Sequence, residues 1–174
     1  MTQYATALGE YESEDDNGRH RIVYAYFGLA VYFSQCLEET FSRILWIDRI
    51  FKNKIKTNKE VNDIIDAIEG SKRTMGNFIS EVRQSYKLSE ELEGKLIILL
   101  DKRNYLVHKY FKLEITRFYS ELGQKEMIKY FCDFIHDSEE IDHELKSYYT
   151  IYTEKLGITD DKIEKLMADM KANG

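Results

Sequence analysis

The stretch that decides the fold is LAVYFSQCLEETFSRILWIDRIF, residues 29–51. Its apolar and small residues recur at steps of three and four, which is the period of one face of an α-helix. These positions are Leu29, Phe33, Cys36, Leu37, Thr40, Ile44, Ile47 and Phe51. The pattern starts near Arg21, so we predict an amphipathic helix of roughly thirty residues. Its far side would carry Glu38, Ser42 and Arg49.

The same three- and four-residue spacing recurs downstream and predicts further helices. A capping-box sequence opens the next helix at Thr57, and Gly70 closes it. Ser89, with the two acids after it, is a favourable start for another. Gly123 permits a break before the long helix that follows. The predicted helices after the first are 57–70, 75–82, 89–118, 127–152 and 160–171.

Length and composition set the fold class and the number of domains. With 174 residues the chain is long enough for one hydrophobic core and too short for two ordinary domains. It contains no proline, the residue that breaks helices, and no segment alternates in the pattern of a β-strand. We therefore predict an all-α bundle of five or six helices over residues 19–174. Residues 1–18 are polar, acidic and aperiodic, so we expect a flexible arm there.

Charge and cysteine content exclude several classes of protein. The formal net charge is -6, whereas proteins that coat nucleic acid through bulk electrostatics are usually basic. Cys36 and Cys132 lie far apart and outside any metal-ligand spacing, so we expect buried or half-buried thiols and no disulfide. No uncharged apolar stretch has the length of a membrane span, and the N-terminus lacks a signal-peptide pattern. We expect a soluble, cytoplasmic protein without a membrane partner.

The motif with the clearest chemistry is KRNYLVHKYF, residues 102–111. Arg103 falls on a helix face that is otherwise apolar. The other residues of that face are Leu96, Leu99, Leu100, Val107 and Tyr110. A guanidinium keeps its charge, so it needs a carboxylate, a solvent-filled cavity or an anionic ligand. Asn104 and His108 share the adjoining flank, and His108 lies about 140° from Arg103, so convergence requires a swung arginine, a distorted helix or a two-fold dimer.

An arginine, an asparagine and a histidine brought together would suit the cleavage of RNA. His108 can take a proton from one oxygen and return it to another near neutral pH. Arg103 supplies fixed positive charge for phosphoryl oxygens, and Asn104 is a neutral donor that orients the group. The 2′-hydroxyl of RNA is the nucleophile, so no metal is needed and a 2′,3′-cyclic phosphate results. The lysines that would add local positive charge for RNA are Lys102, Lys109 and Lys112.

The segment RNYLVH, residues 103–108, resembles the R-x4-6-H signature of the HEPN superfamily, whose favoured form has Asn directly after Arg. The following KY extends it to the R-x4-H-x-Y pattern of HepT toxins, and FGLAVYFSQCLEETF, residues 27–41, resembles the long first HEPN helix. The resemblance implies a helical bundle that forms a homodimer over the motif helix. It also implies a metal-independent endoribonuclease of toxin–antitoxin, anti-phage or stress systems.

Carried over by position, the resemblance makes Arg103 and His108 catalytic and Asn104 supporting. Tyr110 matches the tyrosine of the extended pattern, in the segment where a nucleotidyltransferase antitoxin attaches AMP to a HepT tyrosine. Core packing is the other interpretation of Tyr110, and it is the one that its helix face favours. The alternative for the whole motif is a non-catalytic HEPN-like module, in which Arg103 and His108 belong to a polar network between helices. Such a module would bind a nucleotide, a nucleotidyltransferase or another protein.

A second group of residues has the spacing of a metal site. Asp133 with His136, and Glu140 with His143, are carboxylate-x-x-His pairs like those that supply ligands to di-iron bundles. On the helix predicted there, all four fall on the side opposite the apolar residues, so we interpret them as a solvated charged face. The chain also lacks phosphate-loop, zinc-binding and dinucleotide-binding motifs, and we expect neither metal nor cofactor.

Overall fold

The computed structural model describes residues 2–55 and 57–155, together with scattered positions from 157 to 168. Within the described residues the chain is helical and contains no strand, which confirms the all-α prediction. The elements are α1 (Gln3–Glu12), α2 (Asp16–Lys52), α3 (Asn58–Glu69), α4 (Met75–Ser85), α5 (Glu90–His108), α6 (Tyr110–Glu114), a 3-10 turn (Ile115–Tyr119) and α7 (Glu121–Lys155). The helix predicted over 160–171 lies largely outside the described residues.

Two long helices form the frame of the bundle. α2 has 37 residues and α7 has 35, and the two lie side by side in the same direction. The ring centroids of Phe27 and Phe131 are 5.6 Å apart near one end, and those of Phe51 and Tyr152 are 4.9 Å apart near the other. The core lies between these helices and the shorter ones that cover them.

The buried stripe of α2 differs in phase from the predicted one at its N-terminal half. Its buried residues there are Val23, Tyr26, Ala30, Ser34 and Leu37. Leu29, predicted to face the core, is 37% exposed, and the neighbouring Ala30 is fully buried in its place. The later positions of the predicted stripe, Thr40, Ile44 and Ile47, are buried. The predicted phase is therefore correct from Leu37 onward, and before Leu37 it is displaced by one residue.

α5 ends earlier than predicted, and this places the candidate site at a helix terminus. The predicted helix 89–118 is wrong beyond His108, because Lys109 has φ -131° and ψ -25°, outside the α-helical region. The chain turns there, and α6 puts Tyr110 into the core with 3% exposure. α5 and α6 run antiparallel to α2, since Arg103 contacts Glu38 whereas Phe111 contacts the earlier residue Phe27.

The N-terminal segment is helical and packed, so the prediction of a flexible arm at 1–18 is corrected. Ala7 and Tyr11 of α1 are fully buried against the rest of the bundle. The Tyr11 hydroxyl donates to Gln124 Oε1 at 2.7 Å. Two further contacts hold α1: Glu10 accepts from the Tyr26 hydroxyl at 3.1 Å, and Glu12 pairs with Lys125 at 3.2 Å. The extra helix and the break after α5 explain why five or six helices was too low a number.

The break predicted at Gly123 is also absent. Gly123 lies in the first turn of α7, where its N–H donates to Ser120 Oγ at 3.1 Å. A Cβ on Gly123 would lie 2.2 Å from the carbonyl oxygen of Arg117. The glycine therefore allows the 3-10 turn to approach the start of α7, and it does not interrupt the helix.

Candidate functional site

The motif residues lie on the last turns of α5, beside α2. Asn104 and His108 are exposed, and the Arg103 side chain is 19% exposed. The geometry of a regular helix places His108 about 7.5 Å along the axis from Arg103 and well round the helix from it. No hydrogen bond joins Arg103 to His108 within the described part of the chain. One chain by itself thus brings Arg103 to Asn104, and it leaves His108 separate.

The guanidinium of Arg103 is held from two sides. Its Nη2 lies 2.5 Å from Glu38 Oε1 on α2, and its Nη1 donates to Asn104 Oδ1 at 3.3 Å. Its Nε is buried and has no hydrogen-bond partner. Because Glu38 uses a single oxygen, the contact fixes the guanidinium without using all of its donors. The hydrogen bond to Asn104 brings the guanidinium to the flank that Asn104 shares with His108.

Glu38 is the residue of this site that the sequence pattern did not identify. The predicted stripe put Glu38 on the far side of its helix, whereas the structure turns it toward α5 with a side-chain exposure of 31%. The signal that could have found it is Arg103 itself, since a charge on a buried face needs a nearby acid. Glu38 orients Arg103 and also offsets part of its positive charge.

The three lysines expected to attract RNA fall into two groups. Lys102 Nζ lies 2.6 Å from Asp137 Oδ2 on α7, so the expectation that Lys102 adds free positive charge is corrected. Position 102 is on the α7 side of α5, about 100° from Arg103, and an acid is available there. Lys109 and Lys112 are exposed and form no ion pair with any residue that the structure describes. These two lysines keep their charge next to His108.

Tyr110 has the surroundings of a core residue. It is 3% exposed, and its ring stacks on Tyr130 with centroids 4.9 Å apart and packs at a tilt against Phe131 at 5.0 Å. Burial raises the pKa of the Tyr110 hydroxyl well above its ordinary value. Packing accounts for this residue, and its enclosure leaves little room for an enzyme that would modify it.

The carboxylate-histidine pairs of α7 lie where the sequence pattern put them. Asp133, His136, Glu140 and His143 are all exposed, and Asp133 Oδ2 pairs with Lys129 Nζ of the same helix at 2.6 Å. Among the described residues, no three His, Cys, Asp or Glu side chains are grouped as metal ligands. Cys36 is a half-buried and Cys132 a buried free thiol. Burial raises the pKa of Cys132 to about 11.

Comparisons of this chain with protein-family models, with curated proteins and with solved structures find no match. No helix in the described ranges combines the length and the apolar character needed to cross a bilayer. Evidence about function therefore comes from the motif on α5 and from what surrounds it. That evidence is an oriented guanidinium, an amide beside it, an exposed imidazole and two lysines without ion pairs.

Proposed function

We propose that this protein is a metal-independent endoribonuclease of the HEPN type that cleaves RNA through its 2′-hydroxyl. One observation carries the proposal: Arg103 reaches Asn104, 3.3 Å away, on the solvent flank that continues to the exposed His108. A guanidinium and an imidazole on one flank are the groups that phosphoryl transfer without metal requires. A toxin of a toxin–antitoxin or anti-phage system is the biological setting that the HEPN resemblance implies. The resemblance also implies a nucleotidyltransferase partner, and the burial of Tyr110 weighs against silencing through AMP on that tyrosine.

In this proposal Arg103, Asn104 and His108 have different roles in one displacement reaction at phosphorus. His108 accepts the proton of the 2′-hydroxyl, the 2′-oxygen bonds to phosphorus, and the bond from phosphorus to the 5′-oxygen breaks. A histidine returns a proton to the departing 5′-oxygen, which leaves a 2′,3′-cyclic phosphate and a 5′-hydroxyl. Arg103 stabilises the charge that develops on the phosphoryl oxygens, and the Asn104 amide orients them.

A homodimer over α5 would complete the site. The exposed face of α5 carries Ile97 at 49% and Ile98 at 58% exposure, and Gly94 on the same face has open space around it. Two-fold packing of this face would bury both isoleucines and would bring His108 of a second copy toward Arg103. The separation of the two residues in one chain is the reason that the proposal includes a dimer.

The Glu38–Arg103 pair favours a second candidate function. A cation held by an acid of the neighbouring helix also describes a structural pair in a non-catalytic HEPN-like module. Such a module would bind a nucleotide, a nucleotidyltransferase or another protein, and it would not cut RNA. The exposure of His108 favours the endoribonuclease, because a histidine that only supports helix packing would be expected to be buried between helices.

Cleavage of single-stranded RNA in the presence of a chelator separates the two candidates. The endoribonuclease proposal predicts that the wild-type protein cleaves the RNA and leaves 2′,3′-cyclic phosphate ends. It predicts that Arg103→Ala and His108→Ala each abolish this cleavage. Circular dichroism and thermal melting would establish that each variant is folded. Intact RNA after incubation with folded wild-type dimer, or cleavage that survives His108→Ala, would favour the non-catalytic module.

A further inference from the structure

An exposed aromatic ring lies on α2 near the candidate site. Tyr24 is 52% exposed, although its ring is packed on its inner side. Its centroid is 5.6 Å from that of Phe111, with planes 29° apart, and 5.1 Å from that of Phe118. The two phenylalanines hold the ring in place and leave its outer face to solvent. A supported ring of this kind can accept a flat ligand with little loss of conformational entropy.

The charge around Tyr24 is positive. Arg21 lies one helical turn before it, and Lys112 follows Phe111 directly in the chain. Both are exposed, and neither forms an ion pair with a described residue. Three acids at this end of the bundle are paired with other arginines: Asp16 and Glu121 lie within 3.8 and 4.0 Å of Arg19, and Glu114 lies 2.6 Å from Arg117. Arg21 and Lys112 can therefore face the phosphates of a ligand whose base lies on Tyr24.

The Tyr24 ring is connected to the segment of the catalytic candidates through Phe111. Tyr24 and Glu38 share a face of α2, about 40° apart around the axis and about 21 Å apart along it. Phe111, which packs against Tyr24, is three residues beyond His108 in the chain. Between them on α2 is the exposed Gly28, where an added Cβ would meet nothing within 4 Å. A glycine inside a helix lowers its stability relative to alanine, and here no packing within the chain requires it.

We propose that Tyr24 is a base-stacking subsite for single-stranded RNA, and that the bound strand extends from it past Phe111 toward His108. The identity of the ligand rests on the proposed function. Single-stranded RNA fits better than a protein partner, because the surface combines one supported ring with cations that have no acid to neutralise them. Every base has a flat aromatic face, so stacking on Tyr24 would increase the affinity for RNA without selecting a sequence.

The test measures binding separately from cleavage. A fluorescent 2′-O-methyl single-stranded RNA, which lacks the nucleophile, is titrated with the full-length chain and followed by anisotropy. We expect Tyr24→Ala to weaken binding about tenfold, the loss typical of one base stack. Tyr24→Trp and Tyr24→Phe should stay within about twofold of wild type, because both keep an aromatic face. Tyr32→Ala is the matched control, since Tyr32 is 58% exposed on the same helix and lies about 80° away from Tyr24.

Tyr24→Leu guards against a loss that comes only from misfolding. Leucine keeps an apolar contact with Phe111 and Phe118 but has no ring, so it should bind as weakly as Tyr24→Ala while its melting temperature stays close to wild type. The slope of log affinity against log salt should be unchanged by Tyr24→Leu and should become shallower by about 0.7 in Lys112→Ala. Leucine binding as tightly as tyrosine, or Tyr32→Ala losing as much as Tyr24→Ala, would overturn the subsite.

The outcome for Tyr24 can be separated from the outcome for the nuclease. Tenfold weaker binding in a protein that never cuts RNA would support the subsite and contradict the nuclease. Unchanged binding in Tyr24→Ala, together with chelator-resistant cleavage by the wild type, would overturn the subsite alone. Loss of the dimer in Tyr24→Ala without a change in RNA affinity would assign the ring to subunit contact, and this also would overturn it.

Discussion

The end of α5 and the outer face of α7 both present histidines beside charged residues, and their surroundings differ. On α7, His136 and His143 point to water among acids such as Asp133, whose partner Lys129 is one turn away on the same helix. On α5, His108 follows an arginine that is largely buried and is held by Glu38 of another helix. A pair on one exposed helix contributes little to stability. Fixing a charge between helices costs free energy, and this difference is why we place the candidate site on α5.

The largest expected difference between the two faces is in activity. His108→Ala should lower kcat/KM for RNA by about 10²- to 10⁴-fold, because it removes the proton-transfer group. His143→Ala is matched to it in residue type and exposure, although His143 lies in the interior of α7, and it should stay within about twofold of wild type. Equal losses in the two variants would show that the α5 face has no special role.

The inward and outward sides of α7 should differ in stability. Phe134 is 1% exposed, so Phe134→Ala should lower the free energy of unfolding by about 3–5 kcal/mol, through lost burial and the cavity left behind. His136→Ala, two residues away on the outer side, should change it by less than about 0.5 kcal/mol. Urea denaturation of both variants measures this difference. A loss above about 2 kcal/mol in His136→Ala would contradict the assignment of a solvated face.

The ion pairs of Lys102 and Arg103, which are adjacent on α5, should contribute unequally to the free energy of unfolding. Glu38→Ala should cost about 1–3 kcal/mol, because it leaves the largely buried Arg103 without its acid. Asp137→Ala removes the partner of the more exposed Lys102 and should cost at most about 1 kcal/mol. Urea unfolding of the two variants measures both losses, and adding Arg103→Ala to Glu38→Ala in a double-mutant cycle isolates the pair. Equal losses in the two acid variants would remove the distinction between the α2 and α7 sides of α5.

A smaller difference should appear at alkaline pH in the part of the core near α1. Burial, and then the hydrogen bond to Glu10, raise the pKa of Tyr26 to about 12. The folded state therefore holds this proton more tightly than the unfolded chain does. The contribution to stability is complete below about pH 10 and is lost as the pH rises from there toward about 12. Unfolding followed by tyrosinate absorbance should show this fall, and Tyr26→Phe should make it shallower. An unchanged slope in Tyr26→Phe would contradict the pKa shift.

Features that depend on neighbouring residues in the chain were predictable from the sequence. The helix caps at Thr57 and Ser89 are confirmed, because each hydroxyl accepts from the backbone N–H three residues later. The apolar face of α4 is confirmed as well. Its predicted residues, Met75, Phe78, Ile79 and Val82, are all buried. In each case a local pattern contains the information that the structure uses.

Features that depend on distant contacts were not predictable in this way. α1 is held by Tyr11 through a hydrogen bond to a residue 113 positions away, and nothing near Tyr11 in the sequence indicates that partner. Glu38 and Arg103 are 65 positions apart in the chain. The apolar stripe predicted for α2 was slightly out of phase, so the prediction placed Glu38 on the side away from the core. The helix break at Lys109 is set by the burial of Tyr110, which only the packed bundle defines. The motif was visible from sequence, whereas its acidic partner was not.

The most direct test of the central claim uses an RNA that the wild-type protein cuts, with a single 2′-deoxy substitution at the nucleotide before the cut. Incubation is carried out with excess chelator, and the product ends are analysed. A site built from Arg103 and His108 predicts that the deoxy substitution abolishes that cut while neighbouring cuts persist, each leaving a 2′,3′-cyclic phosphate. Normal cleavage of the deoxy position, or no cleavage of any single-stranded RNA by the folded protein, would contradict the claim.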